Sequence, residues 1–254
     1  MNAVNAVDLV KTYENGVEAV RGISLAIAAG SVFGLLGVHG AGKSTVVRLL
    51  TTMSTPTSGT ATVAGHDIVR EPAAVRRAVG CVTRESRVDV HETGRENLLL
   101  RGQLHGIRDR ELHLQAAELL HRFGLSNAAD RLVKSYSAVM MRKLDIALAL
   151  IHEPSVLVLD EPAAGLGPEE GAELGDQIRE LVWDRGLTVL FATRCLEAAL
   201  GAAHRLAVVD EGRIVLEGTP DELRSALHGD PLTLAPGPVP PVLRRRRREL
   251  IKCV

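Results

Sequence analysis

Short apolar runs broken by glycine-bearing turns mark the N-terminal part of the chain. Ile23–Ile27, Val32–Leu36 and Ala61–Ala64 each predict a strand. From about Arg95 to Gly124 the period changes, and Leu112, Ala116, Leu119, Leu120 and Phe123 recur on one helical face. A helix around Arg142–Ile151 follows. Val156–Leu159 is apolar at every position, the pattern of a strand covered on both faces. A helix around Ala172–Trp183 then places Leu174, Ile178, Leu181 and Val182 on one stripe. Thr188–Ala192 and Leu206–Val209 predict two more strands, the second turning at Asp210-Glu211-Gly212 into Ile214–Leu216. In GTPDEL, Thr219 is placed to cap a last helix, Pro220 suits its first position and Glu222 completes a capping box. Strands alternating with helices predict an α/β domain with a mainly parallel core sheet, behind a β-rich N-terminal part. No internal repeat interrupts this order.

Candidate chemistry sits where two of these elements meet. Between the strand Val32–Leu36 and a helix predicted over Thr45–Leu50 stands GVHGAGKST, which has the form G-x-x-x-x-G-K-[ST] from Gly37 to Ser44. Gly37, Gly40 and Gly42 permit a tight turn, so that backbone N–H groups along Gly37–Thr45, including that of Ala41, converge on phosphate oxygens. Lys43 is expected to reach the β- and γ-phosphates, Ser44 to ligate Mg²⁺, and the helix N-terminus to add its dipole. His39 reads as a solvent-facing loop residue with no chemistry of its own. The second site element is SVLVLDEP. Asp160 emerges at the carboxyl end of a buried strand, where open α/β sheets bind ligands, and is expected to hold the Mg²⁺ water shell. Glu161 is placed to polarise an attacking water as general base.

Composition narrows the rest. The 254 residues, 46% of them hydrophobic, suffice for a sizeable core. A formal net charge of −1 supplies no field that would draw the chain to nucleic acid, and 2% aromatics leave no stacking platform, so no nucleic-acid partner is expected. The N-terminus has neither a basic start nor a long apolar stretch, and no run reaches the roughly 18 apolar residues that cross a bilayer. Membrane work is therefore expected of another chain. Cys81, Cys195 and Cys253 fit no metal spacing and read as reduced thiols. The tail 227–254, PLTLAPGPVPPVLRRRRRELIKCV for the most part, is Pro-rich and carries Arg244–Arg248. It is expected to be disordered, with the arginines either solvated or drawn to an anionic membrane surface.

Taken together, VDLVKTYENGVEAVRGISLAIAAGSVFGLLG, TGREN at 93–97, YSAVMMRKLDIALALIHEPSVLVLDEPAAGLGP and RLAVVDEGRIVLEGTPDEL resemble the nucleotide-binding subunit of ABC transporters. TGRENL is especially similar to the daunorubicin/doxorubicin-resistance exporter type. The resemblance runs over about residues 4–226. It implies a P-loop NTPase fold at 1–226, with an antiparallel β subdomain at the N-terminus and an inserted helical subdomain at about 86–140. It implies ATP and Mg²⁺ as ligands, and a place on the cytoplasmic face of the membrane beside a separate transmembrane permease that exports a drug-like or lipophilic substrate. Two such domains, identical or not, pair head to tail. Each ATP then lies between one subunit's phosphate loop and the other's signature segment. Tyr13 matches the aromatic that stacks on adenine, and Ser137 the serine offered to the partner's ATP.

Four positions depart from the family pattern. Arg84 stands where a glutamine is expected; it has only donors and cannot ligate a metal. Ala138-Val139 replace two glycines after Ser137, and β-branched Val139 crowds a bound phosphate. Gly167 replaces an aspartate that crosses the dimer interface. Arg194 replaces a histidine that contacts the γ-phosphate; arginine keeps a donor there but is longer and never neutral. Nucleotide binding is expected to survive these changes. Hydrolysis is expected to rest on Glu161 beside Arg84 and Arg194, and to be weak. The alternative is a pseudo-ATPase that binds Mg·ATP with little turnover.

Overall fold

The computed structural model describes residues 1–228, with side chains through 226. The predicted tail lies outside the described residues, apart from the two backbone positions that end the last helix. Two sheets organise the chain. The first is antiparallel and joins β1 (Asn2–Thr12), β2 (Glu18–Ala28), β4 (Ser58–Val63) and β5 (His66–Asp67) in the order β2-β1-β4-β5. The second is six-stranded, in the order β10-β9-β3-β8-β7-β6. It is built from β3 (Val32–Leu36), β6 (Val79–Val82), β7 (Val156–Asp160), β8 (Thr188–Thr193), β9 (Arg205–Asp210) and β10 (Arg213–Gly218). Every pairing in it is parallel except that of β9 with the edge strand β10. This is the α/β architecture the pattern predicts.

The apolar run Val156–Leu159 is buried at every position, as is β3, because both are interior strands covered on two faces. Helix α1 (Lys43–Leu50) fills the space between the sheets. Val46, Val47, Leu49 and Leu50 pack there with Leu9, Ile23, Ile27, Phe33 and Val158. On the other face of the large sheet lie α4 (Asp109–Arg122), α5 (Ala138–Leu150), α6 (Pro168–Arg185) and α7 (Leu196–Ala202). Each buried leucine of α4, such as Leu112, Leu119 and Leu120, contributes about 1.5–3 kcal/mol. That packing, rather than helix propensity, holds a helix of 14 residues in place. Near its end α6 turns the chain's single tryptophan, Trp183, outward at 90% exposure.

The strand β1 escapes the sequence pattern. Asp8 has φ 48°, and the pairing with β2 shifts register between Ala6 and Leu9, so the buried positions Val4, Ala6 and Leu9 lose their period of two. Helix α2 (Pro72–Ala78) and the four-residue β6 are likewise too short to signal themselves. Elsewhere caps act as expected. In α8 (Pro220–His228), Glu222 N donates to Thr219 Oγ1 at 3.3 Å and Thr219 N to Glu222 Oε2 at 2.8 Å.

TGREN opens α3 (Gly94–Leu104) with a second capping box. Glu96 N donates to Thr93 Oγ1 at 3.2 Å and Thr93 N to Glu96 Oε2 at 2.8 Å. Buried Asn97 donates to Asp89 O and Thr93 O and accepts from Asp89 N, which fastens the preceding loop. A Cβ on Gly94 would lie 2.3 Å from the Tyr136 hydroxyl, which itself donates to Ala128 O at 2.7 Å. These residues tie α3 to the segment just before α5. Of the cysteines, Cys81 is a free, half-buried thiol.

Candidate functional site

The G-x-x-x-x-G-K-S segment joins β3 to α1, and its glycines have separate reasons. At Gly37 a Cβ would meet Val209 O at 2.4 Å. Gly42 has φ 105° and would meet Ala19 O at 2.3 Å. Gly40 (φ 78°) needs the left-handed region instead. The loop thus folds tightly against β9 and β2. The Lys43 amine turns back into it and donates to Gly37 O at 2.7 Å and Val38 O at 3.0 Å. Burial pushes the Lys43 ammonium down from its usual range, against the Glu161 and Asp160 carboxylates that pull it up. Ser44 is exposed at the start of α1. Thr45 sits 3.4 Å from the hydroxyl of half-buried Tyr13. His39 is exposed, and among the described residues it makes no ion pair.

The acidic strand end meets this loop. Asp160 ends β7, with an exposure of 8%, and its Oδ1 is buried without a hydrogen-bond partner. Glu161 follows with φ 53°, a left-handed turn that costs about 1–3 kcal/mol for a side-chain-bearing residue. Its N–H donates to Ala192 O at 2.8 Å. The kink places the Glu161 carboxylate, 13% exposed, 4.0 Å from Lys43 Nζ and 3.2 Å from Arg194 Nε. Arg194 follows β8 and is half exposed. Val38, Glu161 and Arg194 stand at one end of a cavity of about 800 Å³ that runs between the 163–168 loop, α6 and α7.

The predicted residues therefore divide. Lys43, Asp160, Glu161 and Arg194 converge, and Tyr13 reaches Thr45 at the same loop. Arg84 and Ser137 have no hydrogen bond or ion pair with that cluster. The Arg84 side chain is exposed and unpaired among the described residues. Ser137 is the N-cap of α5, its Oγ accepting from Met140 N at 3.2 Å. Ala138 and Val139 form the first turn of that helix, and Gly167 caps α6, its N–H donating to Glu170 Oε2 at 3.0 Å.

Residues 20–164 match the family model described as ABC transporter. The chain belongs to the ABC transporter family. Over 232 residues this cassette is 46% identical to the daunorubicin/doxorubicin resistance ATP-binding protein DrrA of Streptomyces peucetius, a match covering 91% of this chain and 70% of that one. Over 245 residues it is 36% identical to the Nod factor export ATP-binding protein I of Paraburkholderia xenovorans, covering 96% and 80%. In structure it is similar to cbiO1 of Clostridium perfringens, part of the ABC transporter complex cbiONQ. The TM-score is 0.83 at 26% identity, over 88% of this chain and 91% of that one. No helix among the cassette's described residues is long and apolar enough to cross a membrane.

Sequence reasoning missed three buried charges of the cassette, Arg142, Lys143 and Asp145 on α5. Their signal was Arg142-Lys143-Leu144-Asp145 at the head of an otherwise apolar helix. Charges at buried helical positions require partners.

Proposed function

We propose that this chain is the ATP-hydrolysing subunit of an exporter whose membrane-spanning part is a separate chain, at the cytoplasmic face of the membrane. The observation that carries the reading is Glu161, which the left-handed turn holds beside Lys43 and Arg194 at the mouth of the phosphate loop. Gly37–Thr45 cradles the phosphates of ATP and Tyr13 faces the adenine side. Lys43 leaves the carbonyls of Gly37 and Val38 for the β- and γ-phosphates, a charge-assisted contact stronger than either. Mg²⁺ fits the buried, unpartnered Asp160 Oδ1 and the exposed Ser44 hydroxyl at the head of α1. When bound, the ion neutralises phosphate charge. Glu161 takes the proton of the attacking water, and Arg194 supplies a donor to the charge that develops on the γ-phosphate. Relatives whose names speak of drug resistance and Nod factor export support a lipophilic or drug-like cargo.

ATP closes a dimer, of two copies or of this chain with a sister cassette, in which Ser137 of one faces the nucleotide of the other; hydrolysis reopens it. Phosphate release by the purified full chain, with and without the candidate permease, tests this. Hydrolysis abolished by Glu161→Gln is expected, and a chain that binds no ATP overturns the reading. A second reading, a pseudo-ATPase that binds Mg·ATP and turns over little, is favoured by one observation: Glu161 is paired to an arginine that is never neutral. It predicts ATP binding with no hydrolysis in the presence of the permease.

A further inference from the structure

Tyr13 stands just past the end of β1, where the chain turns back toward β2. Its N–H donates to Val17 O and its carbonyl accepts from Gly16 N, both at 2.9 Å. The alternation of a strand, carried one step beyond β1, puts Lys11 on the same side as Tyr13. The Lys11 ammonium lies over the Tyr13 ring, 5.4 Å from its centre. Within about 6 Å the face of an aromatic ring attracts a cation. Lys11 Nζ is also anchored from another direction, donating to Thr55 O at 2.8 Å in the loop between α1 and β4. Lys11 makes no ion pair among the described residues, so no carboxylate there competes with the ring for this charge.

The two contacts on the Tyr13 side chain act differently. Its hydroxyl lies 3.4 Å from Thr45 Oγ1, at the first turn of α1. That contact fixes where the ring ends but not which way its plane faces, because the hydroxyl lies on the axis of the last side-chain torsion. The torsional preference is itself broad for a tyrosine. An ammonium over one face sets the plane. Resting on the nucleotide reading above, we infer that Lys11 is a positioning residue for base recognition: it backs the Tyr13 ring on one face and leaves the opposite face oriented for adenine. Lys11 needs no contact with ATP. Its effect is confined to ligands that carry a base, and it works by ordering the ring before the ligand arrives.

Calorimetric titration of the full chain with Mg·ATP and with Mg·tripolyphosphate, which has the phosphates and no base, tests this. Lys11→Met keeps the apolar stem and loses the charge. It is expected to weaken ATP binding about two- to five-fold, the worth of one exposed cation–ring contact, and to leave tripolyphosphate binding unchanged. Lys11→Arg returns a cation to the ring and is expected to bind ATP as the wild type does. In a Tyr13→Leu background, Lys11→Met is expected to change nothing further. A merely structural role at the end of β1 would persist in that background. Such persistence overturns the inference, as does unaltered ATP affinity in Lys11→Met, or an arginine variant as weak as the methionine one. Equal losses for ATP and tripolyphosphate also overturn it, since Lys11 would then act on the phosphates or on the fold. If Tyr13→Leu alone binds ATP as tightly as wild type, the base lies elsewhere and the inference falls with it. Failure of the nucleotide reading looks different: a wild-type chain that binds neither ligand.

Discussion

Two clusters of buried charge lie at the same edge of the large sheet, and they differ in whether their bonds are closed. At the head of α5, Asp145 Oδ1 takes two donors and Arg142 holds two carbonyls. In the phosphate loop the account is left open: Asp160 Oδ1 has no partner, Glu161 is shared between two cations, and Lys43 rests on backbone carbonyls. Closed clusters fix geometry. Open ones are unsatisfied without a ligand, since a buried polar atom with no partner costs about 1–3 kcal/mol. An open cluster of this kind is what the proposed nucleotide site requires.

Substitutions can break this contrast, beginning with the largest effect. Glu161→Gln is expected to lower ATP hydrolysis about 10²–10⁴-fold, the usual contribution of a positioned base, while leaving ATP affinity intact; phosphate release and equilibrium binding check the two halves. Arg142→Ala should cost roughly 3–5 kcal/mol of stability in denaturant titration, because it strands Asp145 as a buried charge. Lys43→Met is expected to do the reverse. It removes a desolvated ammonium, so the unliganded melting temperature holds or rises, while ATP affinity falls by about 2–5 kcal/mol. A lowered melting temperature would show the open cluster to be structural after all.

The smallest effect concerns pH. Burial is the main cause that raises the Asp145 carboxyl above its usual range, against the donors Ser86 and Arg87 and the Arg142 charge. A raised folded value means that this group favours folding below its unfolded value and that the benefit is lost as pH rises through the folded one. Asp145→Asn should therefore gain stability relative to wild type toward neutral pH and lose that advantage in the acid range. Paired thermal melts across that interval read it.

The strands that carry the site were legible because β3 and β7 are apolar throughout and end at once in Gly37 and Asp160. The helical stripe of α6 and the cap of α8 were equally plain. β1 was not, because its register shift at Asp8 breaks the alternation that marks a strand. Within the site, the loop glycines, Lys43, Asp160 and Glu161 could be read from order and spacing. The pairing of Arg194 with Glu161 could not, since it depends on β8 lying next to β7 in the sheet. The hold of α5 on the 83–87 loop was hidden for a similar reason: Arg142 and Asp145 find their partners in a loop far away in sequence.

The outward-facing Trp183 carries a practical consequence. Being the sole indole in the chain, it makes intrinsic fluorescence a single-position signal from the C-terminal end of α6. Denaturation of the core will scarcely alter emission from a side chain already in water. A blue shift or a loss of quenching by iodide would instead report that another surface had come to rest against that helix, with no dye or tag attached.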